Sequence, residues 1–128
     1  NFVEVLLRAS GCSLYFDGSK SVARAHILSR AWPSSRVIHL LRDPRDVIVS
    51  AITKHGRQTS DPLAIADHWV SYNAAVLETF AHRNGYMPIY FHDLIREPDN
   101  TVQRVVEFAG AEPGFESSGV HLVGNRSR

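Results

Sequence analysis

The 128-residue chain is predicted to adopt an α/β fold with a parallel sheet between layers of helices. Short apolar segments alternate with longer ones whose apolar residues recur every three or four positions. The segment 37–41 is almost continuously apolar, as is typical of a strand covered on both faces of a parallel sheet. Strands separated by helices need right-handed crossovers, which place helices on both faces. The predicted fold class is therefore a three-layer α/β domain.

The amino-terminal third is predicted to contain a helix, a strand and a second helix. Residues 1–10 have the pattern of the latter part of an amphipathic helix, and the apolar run 12–16 indicates a strand. A second helix is expected from residue 19 or 20 to residue 32, with Ser19 as its N-cap. Its inward positions recur at intervals of three and four, at Val22, Ala25, Leu28 and Trp32.

The segment 36–50 is the most informative part of the chain. A strand over 37–41 leads into Arg42, and a helix is predicted from Pro44 to about residue 54, with Asp43 as its N-cap. The buried side of that helix is expected to carry Val47, Ile48, Ala51 and Ile52. Arg42 then lies at the carboxyl edge of the sheet, where open α/β folds collect ligands, and its planar guanidinium suits phosphate or sulfate oxygens.

The remaining chain is predicted to form a long helix, a strand and a final helix. The long helix begins near Asp61 and Pro62, which repeat the Asp-Pro cap of the preceding helix, and ends near residue 83. It carries one apolar stripe at Ile65, Trp69, Tyr72, Val76 and Phe80. Residues 87–91 indicate a third strand. Asp99 or Asn100 is expected to cap the last helix, whose inward residues are Val102, Val105, Val106 and Phe108.

The charge composition argues against a nucleic-acid-binding protein. The net charge is only +1, which gives no general attraction to nucleic acid or to an anionic membrane. Twelve arginines stand against two lysines. That skew suits oxyanion recognition, although a GC-rich genome would produce it without any function.

Cysteine and histidine usage predicts neither a disulfide nor a metal site. Cys12 is the only cysteine, and the seven histidines include no H-x-x-x-H or H-E-x-x-H pair. His39, within a predicted strand, is expected to be a hydrogen-bonded core residue. No apolar stretch reaches the roughly 20 residues that span a bilayer, and no signal peptide is visible, so a cytoplasmic location is expected.

Two segments carry a resemblance to the sulfotransferases that use 3′-phosphoadenosine 5′-phosphosulfate (PAPS). Residues 38–50 resemble the family's 3′-phosphate-binding element, in which an arginine closes a strand and a serine follows eight residues later. Arg42 and Ser50 match that pair. Residues 15–20 (Y-F-D-G-S-K) are similar to the family's D-x-S-K turn at the end of a strand.

Two further segments agree with the resemblance in order and spacing. Residues 89–94 resemble a strand and turn that usually read Y-E-D-L, with His92 here in place of the acid. Residues 124–128 are similar to a carboxy-terminal G-N-x-x-R stretch, and Arg128 lies nearest the final arginine of that pattern. The resemblance covers residues 12–128.

The resemblance implies sulfuryl transfer from PAPS to a hydroxyl or amine acceptor, without a metal, on a fold like that of the P-loop nucleotide hydrolases. It implies that Arg42 and Ser50 hold the 3′-phosphate and that Arg126 and Arg128 approach the nucleotide. Lys20 is the candidate for stabilising the sulfuryl or bridging oxygen, and Asp17 for orienting or deprotonating the acceptor, because both follow the first predicted strand. The acceptor is expected to be a small molecule or a glycan.

One departure from the family pattern concerns the phosphate loop that normally follows the first strand. No such loop is present in these 128 residues. The chain is therefore expected to be a single sulfotransferase-like domain over 1–128, truncated at both ends and lacking the first strand. Its isolated activity and its oligomeric state are left open.

Other interpretations of the same residues stay open. Arg42, Asp43, Arg45 and Asp46 fit a solvated cluster of ion pairs equally well on composition. A nucleotide-dependent phosphotransferase of related layout is the second enzymatic interpretation. A non-catalytic nucleotide-binding or interaction module is the third.

The loops at 55–61 and 112–120 are the candidates for the acceptor pocket.

Overall fold

The computed structural model describes residues 2–55 and 61–111. In these residues pairs of helices alternate with single strands, as in an α/β protein. The elements are α1 Phe2–Ser10, α2 Val22–Ala31, β1 Val37–Leu41, α3 Pro44–His55, α4 Pro62–Phe80, β2 Tyr86–Tyr90, α5 Phe91–Arg96 and α6 Pro98–Ala109. The predicted bounds of β1 and the predicted start of α3 are confirmed.

The two strands pair in parallel, as predicted. Val37 lies opposite Tyr86 and Leu41 opposite Tyr90. The pairing begins at Gly85, whose carbonyl accepts a hydrogen bond of 2.7 Å from the Val37 amide. A Cβ at Gly85 would lie 2.9 Å from the Ser35 carbonyl oxygen, so the backbone segments that lead into β1 and β2 approach too closely there for a side chain.

Helix α4 forms the centre of the packing. It contacts α2, α3 and β1, and its predicted apolar stripe is confirmed, with Val76 5% and Phe80 1% exposed. Asn73 is also buried on this helix, at 8% exposure. A polar side chain in that position needs hydrogen-bond partners, and it finds them in β1 and in its own helix.

The sheet is covered unequally on its two faces. Alternate residues of a strand point to opposite faces. His39 points toward α4 and is 4% exposed, whereas its neighbour Leu40 is 50% exposed. The expectation that β1 is covered on both faces is therefore wrong at Leu40, since none of the described residues packs over it closely enough.

The strand predicted at 12–16 is not formed. This segment is extended but unpaired, and Leu14, Tyr15 and Phe16 are 42%, 41% and 69% exposed. An apolar run supplies strand propensity, but a strand exists only where a neighbour satisfies its backbone groups. Within 2–55 and 61–111 no strand lies beside it.

Two helix boundaries also differ from the prediction. Helix α2 begins at Val22 because Ser21, rather than Ser19, accepts a capping hydrogen bond of 3.2 Å from the Arg24 amide. Helix α6 begins at Pro98, one residue before the predicted cap. This start places Thr101 inward at 3% exposure and leaves Val102 50% exposed, so Val102 was wrongly assigned to the core.

The segment after β2 folds as a short helix that was not predicted. Phe91 was expected to end the strand, but it opens α5. His92 therefore lies in a helix, with its Nε2 atom 3.2 Å from the Asp93 carboxylate. No helix in the described parts of the chain is long and apolar enough to cross a membrane.

Candidate functional site

The site predicted around Arg42 lies where the two parallel strands end. Leu41 pairs with Tyr90, so the next residues, Arg42 and Phe91, leave the sheet side by side. The guanidinium carbon of Arg42 lies 4.9 Å from the centre of the Phe91 ring. A cation over an aromatic face at this distance is attracted by the ring and fixed in orientation.

The guanidinium of Arg42 has donors without acceptors. Its Nε atom is buried and makes no hydrogen bond. No carboxylate among the residues the structure describes forms an ion pair with it. A buried donor with no partner is unfavourable, and it becomes favourable when an acceptor arrives. The arrangement therefore suits an anion with oxygen acceptors, such as a phosphate.

The neighbouring carboxylate is already paired with another arginine. Asp43 accepts from the Arg45 amide at 2.8 Å, which confirms it as the N-cap of α3, and from Nη2 of Arg45 at 2.6 Å. These hydrogen bonds lower the pKa of Asp43 to about 2. The predicted alternative of a surface ion-pair cluster thus holds for Asp43 and Arg45. Arg42 takes no part in this pair, so no carboxylate of the described residues compensates its charge.

The main chain at Arg42 is fixed by a tryptophan. The indole N–H of Trp69 donates a hydrogen bond of 3.0 Å to the carbonyl of Arg42. One turn later, the Asn73 side chain donates to the Trp69 carbonyl at 2.6 Å, and its oxygen lies 2.8 Å from Nε2 of His39. The other ring nitrogen of His39 lies 2.9 Å from the Tyr86 hydroxyl. The prediction that His39 is a hydrogen-bonded core residue is confirmed.

The turn at 17–20 brings together residues from both sides of the start of α2. Asp17 accepts from the Ser19 amide at 2.8 Å and from Nε of Arg24 at 2.6 Å. Partial burial works to raise the pKa of Asp17, but the hydrogen bonds from Arg24 and Ser19 hold it below its usual value. Lys20 is exposed at the end of the turn.

The remaining predicted site residues are less constrained. Ser50 is exposed on α3, about 9 Å along the helix axis from Pro44 at 1.5 Å per residue. Its partnership with Arg42 stays a prediction. Arg126 and Arg128 lie outside the described residues, as do the centres of both candidate acceptor loops.

Sequence reasoning missed three residues of this site. Phe91 was assigned to a strand, Trp69 only to the apolar stripe, and Asn73 to no role. A tryptophan in an apolar stripe did carry a signal, because a buried indole N–H generally needs an acceptor. The identity of that acceptor depended on the tertiary structure.

One other feature of the surface lies apart from these residues. An open groove of about 600 Å³ between α2 and α4 is lined by His26, Glu78 and His82 among others, and by none of the predicted site residues.

Over residues 2–55 and 61–111, no group of three potential metal-binding side chains comes together.

Comparison with known proteins gives one match. No curated protein and no solved structure matches the chain. The model of the sulfotransferase family matches residues 4–116, which is most of the sequence and includes Asp17, Lys20, Arg42 and Ser50. The chain belongs to the sulfotransferase family.

Proposed function

We propose that this protein transfers a sulfuryl group from PAPS to a hydroxyl or amine acceptor, with Arg42 and Ser50 binding the 3′-phosphate of the donor. The observation that carries the proposal is the state of Arg42. Its guanidinium lies at the carboxyl end of the sheet, over Phe91, with a buried Nε that has no partner. A phosphate supplies the oxygens and the negative charge that this group lacks.

The pairing of Asp43 with Arg45 supports the same assignment. An arginine that is already neutralised by a carboxylate binds a phosphate only by giving up that carboxylate. Here Arg45 satisfies Asp43 through the 2.6 Å contact, and Arg42 keeps its charge for a ligand. Ser50, two turns into α3, contributes a neutral hydroxyl donor to the same phosphate in this proposal.

The bound donor supplies the sulfuryl group, and adenosine 3′,5′-bisphosphate leaves. A bond forms from the acceptor oxygen or nitrogen to sulfur while the bond from sulfur to the bridging oxygen breaks. Such transfers depend on in-line positioning and on cations near the oxygens, as phosphoryl transfer does. We assign to Lys20, whose ammonium is exposed beside the turn, the stabilisation of the bridging oxygen.

Asp17 is assigned to the acceptor side of the reaction. The acceptor must lose a proton as it attacks, and a carboxylate within hydrogen-bond reach can orient it or take the proton. The pairing with Arg24 lowers the pKa of Asp17 and weakens it as a base. That pairing favours the orienting role, and the acceptor proton is then released to water.

Calorimetric titration with three nucleotides tests the proposal. We expect the 128-residue chain to bind adenosine 3′,5′-bisphosphate more tightly than adenosine 5′-monophosphate or ATP. Arg42→Ala should reduce bisphosphate affinity by about 10- to 100-fold, the range for a hydrogen bond to a charged group, and leave binding of the monophosphate unchanged. Arg30→Ala, which removes an exposed arginine in the last turn of α2, outside the predicted site, is the matched control and should have little effect.

The outcomes separate the candidate functions. Preference for ATP would indicate the nucleotide-dependent phosphotransferase. Binding of no nucleotide would indicate an interaction module. Bisphosphate binding that survives Arg42→Ala would contradict the role assigned to Arg42.

A further inference from the structure

We propose that Trp69 is a positioning residue for the 3′-phosphate site, acting through the main chain of Arg42. The proposal rests on the proposed function, because it concerns how Arg42 is aimed at the donor. The proposal gives α4 a part in nucleotide specificity, although none of the residues assigned to donor binding lies on that helix.

Trp69 contacts the main chain of Arg42 directly. Arg42 is the residue directly after the last paired position of β1, so the sheet ladder does not hold it. The indole N–H of Trp69 donates to its carbonyl at 3.0 Å. The chain is thus fixed on one side of Arg42 by Leu41 in the ladder, and at Arg42 itself by Trp69.

Trp69 is itself held in place by hydrogen bonds. Asn73 donates to the Trp69 carbonyl at 2.6 Å, and its side-chain oxygen accepts from Nε2 of His39 at 2.8 Å. Since an amide oxygen only accepts, Nε2 of His39 carries a proton, and Nδ1 lies 2.9 Å from the Tyr86 hydroxyl oxygen. The hydrogen bonds link α4 to β1 and β2, the two strands whose ends form the site.

The guanidinium of Arg42 is restrained at both ends of its side chain. The guanidinium carbon is held 4.9 Å from the centre of the Phe91 ring, and Trp69 holds the main chain to which the side chain is attached. With both ends restrained, the unpartnered Nε keeps one direction. Loss of the indole donor releases the main-chain end. The affinity for a phosphate at that position should fall, while contacts to the rest of the nucleotide should not.

The test compares two nucleotides that differ only in the 3′-phosphate. The measured quantity is the dissociation constant for adenosine 5′-monophosphate divided by that for adenosine 3′,5′-bisphosphate. Trp69→Phe keeps an aromatic ring in the stripe but removes the N–H donor. We expect the ratio to fall about five- to tenfold, as for one lost hydrogen bond. A defect confined to folding changes both constants alike and leaves the ratio unaltered.

The only other tryptophan provides the control. Trp32 is half-buried at the end of α2, and its indole makes no hydrogen bond within the described ranges. Trp32→Phe should leave the ratio unchanged. In that background, replacement of the remaining tryptophan by β-(3-benzothienyl)alanine exchanges the indole N–H for sulfur at nearly constant shape. This replacement keeps the test valid if Trp69→Phe fails to fold, and it should lower the ratio by the same factor.

Each outcome decides the proposal. A reduced ratio in both Trp69 replacements, with Trp32→Phe unchanged, supports it. A high ratio in the wild-type chain that persists in both replacements overturns the role of Trp69 while the proposed function stands. A wild-type ratio near one removes the 3′-phosphate site, and the inference with it.

Discussion

Two arginines flank the same strand and differ in what surrounds them. Arg36 precedes β1 and Arg42 follows it, and each guanidinium lies over a phenylalanine, Phe108 at 5.7 Å and Phe91 at 4.9 Å. Arg36 donates a hydrogen bond to the Phe108 carbonyl at the end of α6. Arg42 donates to no acceptor in the described part of the chain.

The hydrogen-bond partners of an arginine separate a structural residue from one that is available to a ligand. A cation at a helix carboxyl terminus satisfies free carbonyls and interacts favourably with the helix dipole. Arg36 does this for α6 and thereby joins the last helix to the sheet. Arg42 has the same aromatic support without the acceptor. Residue type and aromatic support do not distinguish the two residues, whereas their hydrogen-bond partners do.

The largest expected effect is on the free energy of unfolding. Arg36→Ala should lower it by about 2 kcal/mol, because it removes a charge-assisted hydrogen bond to a carbonyl and the contact with Phe108. Arg42→Ala should lower it by less than about 1 kcal/mol, since it loses the contact with Phe91 but no hydrogen bond. Urea denaturation followed by circular dichroism measures both. Equal losses in the two variants would show that the distinction is wrong.

A smaller effect is expected at the glycine that ends α6. Gly110 has a φ of +71°, and a Cβ there would lie 2.9 Å from Nη1 of Arg36. Gly110→Ala should therefore lower the free energy of unfolding by about 1 kcal/mol, the scale of the left-handed conformation, with the guanidinium shifting to make room. Thermal denaturation can detect it. The matched control is Gly18→Ala, where the new Cβ would meet only a contact at 3.7 Å. No loss at Gly110 would count against a tight junction with Arg36.

The smallest effect concerns the carboxylate beside Arg42. Hydrogen bonds from Arg45 lower the pKa of Asp43 from 3.8 to about 2. Because the folded-state pKa is depressed, the resulting stabilisation is present above about pH 3.8 and is lost as the pH falls through about 2. In Arg45→Gln the pKa should return toward 3.8, as measured by carbon NMR of the carboxyl group. A pKa that stays near 2 would mean that the Arg45 side chain is not the main cause of the shift.

The sequence predicted those parts of the fold that depend on local chemistry. The bounds of β1, the capping of α3 by Asp43 and that of α4 by Asp61 follow from apolar runs and from Asp-Pro pairs. The strand at 12–16 failed because pairing depends on a neighbour rather than on the segment itself. The exposure of Leu40 has the same origin.

The site was predictable in its charge but not in its surroundings. Arg42 was identified from its position after a strand, and the match to the sulfotransferase family agrees with the resemblance that first singled it out. Phe91 was placed in the wrong element because a bulky apolar residue after Tyr90 continues a strand pattern as well as it starts a helix. Trp69 and Asn73 are separated from Arg42 by 27 or more residues, so only the packing of α4 on β1 brings them together.

The most direct test of the account observes the two guanidinium groups themselves. In a nitrogen-15 NMR spectrum of arginine Nε–H groups, assigned with Arg36→Lys and Arg42→Lys, adenosine 3′,5′-bisphosphate should shift the Arg42 signal and leave that of Arg36 in place. Adenosine 5′-monophosphate should move neither signal. A bisphosphate-dependent shift at Arg36, or none at Arg42 under saturating ligand, would contradict the claim that Arg42 is the arginine available to the donor phosphate.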